Sequence, residues 1–160
     1  MFVPFDTLPD DSRVWIYQSN RKLTDEETAK IDRAVLEYVD GWQAHGTGLK
    51  ASYQVMYNRF IILAVDQEWQ PATGCSIDDS VRFIQSLEQQ YGIDLMDKMN
   101  VTYRLGEHIA HKPLADFKKM AKDKAVSGNT IVFNNLVNTV GEWREYWEVP
   151  AIDSWHSRFF

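Results

Sequence analysis

Two kinds of hydrophobic periodicity follow one another along the first part of this chain. Apolar residues recur at helical spacing over residues 24–42 and 76–91, so that each stretch has one apolar stripe. Apolar and polar residues alternate over residues 49–57, which is the pattern of a half-buried strand. The uninterrupted apolar run 60–65 is typical of a central strand buried on both faces. The pattern therefore predicts helices and strands that share one core.

The order of these elements predicts the fold. A strand at residues 12–18 precedes the first helix, and a strand at residues 101–104 follows the second. The resulting βαββαβ order is that of a ferredoxin-like fold, an antiparallel sheet with helices on one face. We therefore predict an α+β protein with a ferredoxin-like core over residues 12–111. A single domain over residues 1–160 suits the length of the chain.

Residues 112–160 are predicted to be a C-terminal helix and strand extension with an aromatic tail. The helix covers residues 114 to about 126 and the strand residues 130–133. The tail is rich in aromatic side chains: Trp143, Tyr146, Trp147, Trp155, Phe159 and Phe160. Because a ferredoxin-like sheet has one face without helices, we expect the extension to cover that face, within the chain or across a homodimer. The alternative is an exposed aromatic patch that binds a partner.

Composition excludes several classes of partner. The net charge of −6 disfavours nucleic acid, because an acidic protein repels phosphate backbones. The longest apolar run, residues 60–65, is far shorter than the roughly 20 residues that span a bilayer, so no membrane insertion is expected. The N-terminus has no basic region or long apolar segment of a signal peptide. One cysteine cannot form an internal disulfide, which indicates the cytoplasm.

The single cysteine, Cys75, lies at the predicted turn from a strand into the second helix. A helix start offers free N–H groups and a partial positive charge, which favour a thiolate or a bound anion. The predicted topology brings His45, Asp66, Cys75 and Asp78 to one end of the sheet. A thiol-dependent enzyme would use Cys75 as nucleophile and His45 as base. Asp66 or Asp78 would then orient the imidazole.

Each of these residues also has a structural interpretation. Cys75 can be a small apolar side chain packed at a tight turn. His45 can cap the C-terminus of the first helix, where the helix dipole favours it. Ser76 or Asp78 can cap the second helix, and Ser76 with Asp79 has the spacing of a capping pair.

No metal or cofactor site is predicted. His108 and His111 would face opposite ways on a strand, which disfavours a zinc site between them. No other cysteine is present to complete a ligand set. The candidate binding residues lie at the helix start, in the loop before it and in the aromatic tail: Ser76, Trp69, Trp155 and His156.

Four segments of the chain carry a resemblance to a known family: residues 12–18, 74–78, 130–137 and 154–159. They resemble an uncharacterised family of small bacterial proteins, chiefly of Bacteroidetes type, whose members often carry the label "ABC transporter ATPase". The sequence does not support that label. A P-loop needs a lysine after its second glycine, and the closest match, residues 41–46, is followed by Thr47. The resemblance implies no catalytic residues.

Three hypotheses about function follow. The first is a non-catalytic binding or interaction module with a protein or small-molecule partner, one form of which is a homodimer. The second is a small enzyme or thiol-dependent transferase centred on Cys75, with His45 as base. The third is a nucleotide-binding protein in keeping with the family label, which the missing P-loop disfavours.

Overall fold

The computed structural model describes residues 1–160, which divide into two compact units. The first unit comprises Met1–Met96 and Asn138–Gly141, and the second comprises Asp97–Val137 and Glu142–Phe160. Helices and antiparallel sheets occur together, which confirms the predicted α+β class. No helix combines the length and the apolar character that crossing a membrane would require.

The first unit contains a three-stranded sheet, a small hairpin and two long helices. Its elements are β1 (Arg13–Gln18), α1 (Asp25–Asp40), β2 (Gln43–Ala44), β3 (Thr47–Gly48), β4 (Ala51–Met56), β5 (Phe60–Val65) and α2 (Gly74–Tyr91). The sheet has the antiparallel order β1-β5-β4, and β2 pairs with β3 separately. Every residue of the central strand β5 is buried, which confirms the prediction from its apolar run.

The outer edge of β1 differs from the prediction. A ferredoxin-like sheet would place residues 101–104 beside its first strand, but those residues belong to a different sheet. A short segment from much later in the chain lies there instead: Arg13 forms an antiparallel bridge with Thr139, and the Val14 N–H donates to the Asn138 carbonyl at 2.9 Å. The first three strands thus keep the predicted order, and the fourth position is filled by other residues.

Both helices of the first unit begin and end where their sequences place capping residues. The Thr24 hydroxyl accepts from the Glu27 N–H, and the Glu27 carboxylate accepts from the Thr24 N–H, so that the two residues form a capping box. Gly92 ends α2 at a φ of 60°, a conformation that glycine adopts at little cost. The apolar stripes of both helices and one face of the sheet share a core: Ile31, Val35, Val39, Ile61, Leu63, Val65, Ile84 and Leu87.

The second unit contains a four-stranded antiparallel sheet in the order β7-β6-β8-β9. Its elements are β6 (Asn100–Leu105), β7 (His108–Pro113), α3 (Leu114–Lys122), β8 (Ile131–Phe133) and β9 (Glu148–Pro150), and α4 (Val140–Tyr146) crosses the boundary between the units. The chain ends in a 3-10 helix, Trp155–Phe159. Phe117 of α3 is fully buried in a core with strand residues such as Tyr103 and Val132.

Candidate functional site

Cys75 is exposed in the first turn of α2. The helix is capped by Thr73, whose hydroxyl accepts from the Ser76 N–H, while the Ser76 hydroxyl accepts from the Thr73 N–H at 2.7 Å. The prediction that Ser76 or Asp78 caps this helix is therefore wrong. Ser76 is buried at the third helical position, and Asp78 is exposed one turn into the helix.

Asp79 is not a capping partner of Ser76 either. Its carboxylate accepts a hydrogen bond of 2.7 Å from the Tyr38 hydroxyl, and it lies 3.5 Å from the Arg82 guanidinium. Burial raises the pKa of Tyr38 above its ordinary value, and the hydrogen bond to Asp79 raises it further. The Tyr38 ring stacks on Phe83 with 4.2 Å between ring centroids. Asp79 therefore helps to hold α1 against α2.

His45 lies at the turn between β2 and β3, with a φ of 53°. It does not cap the first helix, because α1 already ends at Asp40. The start of this hairpin is anchored by Trp42, whose buried indole N–H donates to the Ser76 carbonyl at 2.9 Å, and β2 packs against α2. The structure thus brings the hairpin that carries His45 to the helix that carries Cys75.

Asp66 follows β5 and is buried. Its Oδ1 accepts from the N–H groups of Glu68 and Trp69, at 3.1 and 3.3 Å. These bonds hold the loop that leads toward α2, in the way that aspartate commonly stabilises a turn. Trp69 itself is half exposed on that loop. Catalysis by Cys75 with His45 and an aspartate stays a prediction.

The candidate binding residues of the tail differ in their exposure. Trp155 is half-buried, and the Arg158 guanidinium lies 5.4 Å from the centroid of its ring. His156 has no exposed surface; its ring stacks on Trp155, and its Nδ1 lies 2.6 Å from the Ser154 hydroxyl. The His156 Nε2 is buried without a hydrogen-bond partner. Burial, aided by the Arg158 charge, lowers the pKa of His156 to about 4.

The two histidines of β7, His108 and His111, do not belong to a metal-binding cluster. The Nδ1 atom of His111 lies 3.2 Å from the Thr102 hydroxyl on the neighbouring strand β6. His108 is exposed at the start of β7. No group of three or more histidine, cysteine, aspartate or glutamate side chains in the chain is arranged to hold a metal ion.

A cluster of cations surrounds a depression of about 340 Å³ in the second unit. We call this surface the basic face; it is lined by Ala115, Lys118, Lys119, Lys122, Arg158 and Phe159. The three lysines lie on α3 and are exposed, whereas Arg158 and Phe159 come from the terminal 3-10 helix. None of these four cations takes part in an ion pair.

The basic face was not predicted from the sequence, although its three lysines can be recognised there. Residues 118, 119 and 122 share one face of a helix, so that the predicted helix already carries a stripe of lysines. Arg158 and Phe159 lie far away in sequence, and the packing of the 3-10 helix against α3 brings them to the same surface.

No protein-family model matches this chain, and no curated protein or solved structure is significantly similar to it. Its function must therefore be inferred from its own surfaces.

Proposed function

We propose that this chain is a non-catalytic binding module that takes an anionic partner on the basic face. The observation that carries the proposal is the set of four cations that surround one depression without a single ion pair. Like charges at i and i+4 on a helix, as in Lys118 and Lys122, destabilise it by roughly 0.2–0.5 kcal/mol. An anionic partner would remove this repulsion.

The overall charge of the protein makes the basic face more selective. Because the net charge is −6, an approaching anion is repelled by most of the surface and attracted only where cations cluster. The Phe159 ring adds an apolar wall to the depression.

Heparin–agarose, a generic polyanion, tests this proposal. The wild-type protein should be retained at low salt and should elute as salt screens the lysines. The variant K119Q/K122Q should elute at clearly lower salt. The control K98Q/K112Q removes the same charge from exposed lysines elsewhere in the second unit and should elute close to wild type. Equal shifts for both variants, or no retention of the wild type, would contradict an anion site on the basic face.

A second candidate function is thiol chemistry at Cys75. The exposed thiol on the first turn of α2, with the His45 hairpin packed against the same helix, favours this candidate. The rate of alkylation of native Cys75 should then reach a plateau near neutral pH, because a helix start stabilises the thiolate. A rate that rises steadily up to the ordinary thiol pKa, about 8.5, would argue against it.

Nucleotide binding, which the family label suggests, is the third and least favoured candidate. The P-loop lysine is absent at Thr47, so a nucleotide could not be held in the usual phosphate cradle. Stabilisation against heat by millimolar ATP with magnesium would support the candidate. An unchanged melting temperature would exclude it.

Further proposals concern the fold of the first unit, the family, the cellular location and the oligomeric state. We propose that the first unit is a ferredoxin-like variant in which the segment at residues 138–140 replaces the fourth strand, and that the chain belongs to the bacterial family it resembles. We also propose a cytoplasmic location, because the only cysteine is unpaired. A homodimer is tested by light scattering: a mass that stays monomeric as concentration rises would rule it out.

A further inference from the structure

None of the lysines of the basic face has a carboxylate four residues before it, and Asp116, three residues before Lys119, forms no ion pair with it. The positions four residues before Lys118, Lys119 and Lys122 are Leu114, Ala115 and Lys118. A stabilising helix pair would place a glutamate there. The buried side of α3 carries Phe117, so that the lysine stripe points away from the core. The positive charge is therefore concentrated on one narrow strip of the helix.

Arg158 adds a guanidinium group to the lysine ammonium groups of the basic face. Its Nε donates to the Trp155 carbonyl at 3.3 Å, and its guanidinium lies over the Trp155 ring. These contacts hold the stem of the side chain, while no hydrogen bond or ion pair is made by its terminal nitrogens. A guanidinium fork of this kind matches the paired oxygens of a phosphate group.

The helix dipole explains only two of the four cations of the basic face. Lys119 and Lys122 lie in the last turn of α3, where the helix dipole favours cations. Lys118 precedes that turn, and Arg158 belongs to another element, so neither is explained by the dipole. Core packing of Phe159 against Phe117 joins the two elements, and the same packing places Arg158 beside the lysine stripe.

We propose that the basic face binds an oligophosphate chain, either free or as the phosphate chain of a nucleotide. This inference rests on the proposed function and narrows its ligand. Neighbouring side chains on one helix face lie about 5–6 Å apart, so the lysines concentrate several charges within about one turn. A chain of linked phosphates matches that density, because each phosphate carries charge and several acceptor oxygens. The depression of about 340 Å³ is large enough for such a chain.

Inorganic tripolyphosphate, titrated calorimetrically without magnesium, tests the inference. Wild-type protein should bind it, K119Q/K122Q should bind at least tenfold more weakly, and K98Q/K112Q should stay within about twofold of wild type. Arg158→Lys keeps the charge but loses the fork, so it should weaken binding less than the double variant does. Thermal melts of all variants in buffer verify that they remain folded.

A parallel titration with ATP distinguishes the two sources of the phosphate chain. If the natural ligand is a nucleotide, ATP should bind more tightly than tripolyphosphate, and Phe159→Ala should weaken ATP alone. If it is a free oligophosphate, the two ligands should bind alike and Phe159→Ala should affect neither. Retention on heparin without tripolyphosphate binding would overturn the oligophosphate inference and leave the proposed function standing. Failure of both would overturn the two together.

Discussion

The indole N–H of Trp42 donates a hydrogen bond of 2.9 Å to the carbonyl oxygen of Ser76, and both residues are buried. The bond joins the residue before the β2–β3 hairpin to the first turn of α2. Trp42 also contacts the rings of Trp15 and Tyr38, with centroid separations of 5.8 Å in both pairs. One side chain thus fixes the start of α2 relative to the hairpin and α1.

Replacing Trp42 with phenylalanine should destabilise the protein by about 1–3 kcal/mol. The change removes a buried hydrogen-bond donor and part of a fully packed ring. Urea unfolding monitored by circular dichroism measures the loss. Trp69→Phe is the matched control, because this indole is half exposed, and its effect should stay within about 0.5 kcal/mol. Equal losses for the two variants would contradict the structural role of Trp42.

The glycines at the two ends of α2 should respond to alanine in opposite directions. Gly92→Ala should cost about 1–2 kcal/mol, because its φ of 60° strains any residue with a Cβ. Gly74 begins the helix with open space around its missing side chain, so Gly74→Ala should stabilise by about 0.4–1 kcal/mol. Thermal or urea unfolding of both variants measures the contrast. The prediction fails if both variants shift stability the same way.

His156 should make the protein less stable in mild acid. Its pKa is lowered to about 4 by burial, whereas in the unfolded chain it returns to about 6.5. Between these pH values the unfolded state binds more protons, so the free energy of unfolding falls as pH drops from 6.5 toward 4. The loss should approach roughly 3 kcal/mol at the acid end. Urea unfolding at pH 7 and pH 4.5 measures most of it.

The variant His156→Gln isolates this contribution, because glutamine does not titrate. It should lose less stability than wild type between pH 7 and pH 4.5. His45→Gln serves as the control for the loss of one imidazole, since His45 is exposed. A pH dependence of His156→Gln that matches wild type would show that His156 is not the acid-sensitive group.

The contribution of Glu27 to stability should be lost at lower pH values than those at which His156 acts. Its carboxylate accepts two hydrogen bonds from Arg21, at 2.9 and 2.8 Å, and this pair lowers the pKa of Glu27 to about 2. Because the folded pKa is depressed, the contribution is present above pH 4.5 and disappears as pH falls toward 2. Glu27→Gln should flatten the loss of stability over that range. Glu26→Gln, at an exposed pair with Lys30, should change it little.

Local sequence signals predicted the elements of the fold better than their assembly. The helical and alternating periods predicted α1, α2 and β4, and the uninterrupted apolar run predicted β5, each to within a few residues, because these patterns depend only on which side chains of one element are buried. The pairing of residues 101–104 could not be predicted in the same way. A strand pairs with whichever edge the whole chain brings to it, and here β6 pairs with β7 and β8 while Thr139 reaches β1.

For the candidate site, too, local positions were predicted better than the contacts between distant residues. The position of Cys75 near the start of a helix follows from local sequence, and the structure agrees. The cap was misassigned because Thr73 and Ser76 form a capping box that begins before Gly74, and two overlapping caps fit the same stretch. His45 was misplaced because the short β2–β3 hairpin carries too few residues to show a strand pattern.

The contact between Thr139 and β1 has a consequence for synthesis. A ribosome releases the chain from its N-terminus, so β1, β5 and β4 emerge long before residues 138–140 that cover the β1 edge. Until those residues arrive, the nascent chain presents an unpaired strand of the kind that neighbouring polypeptides readily join. The first unit therefore reaches its final form only after most of the second has been made.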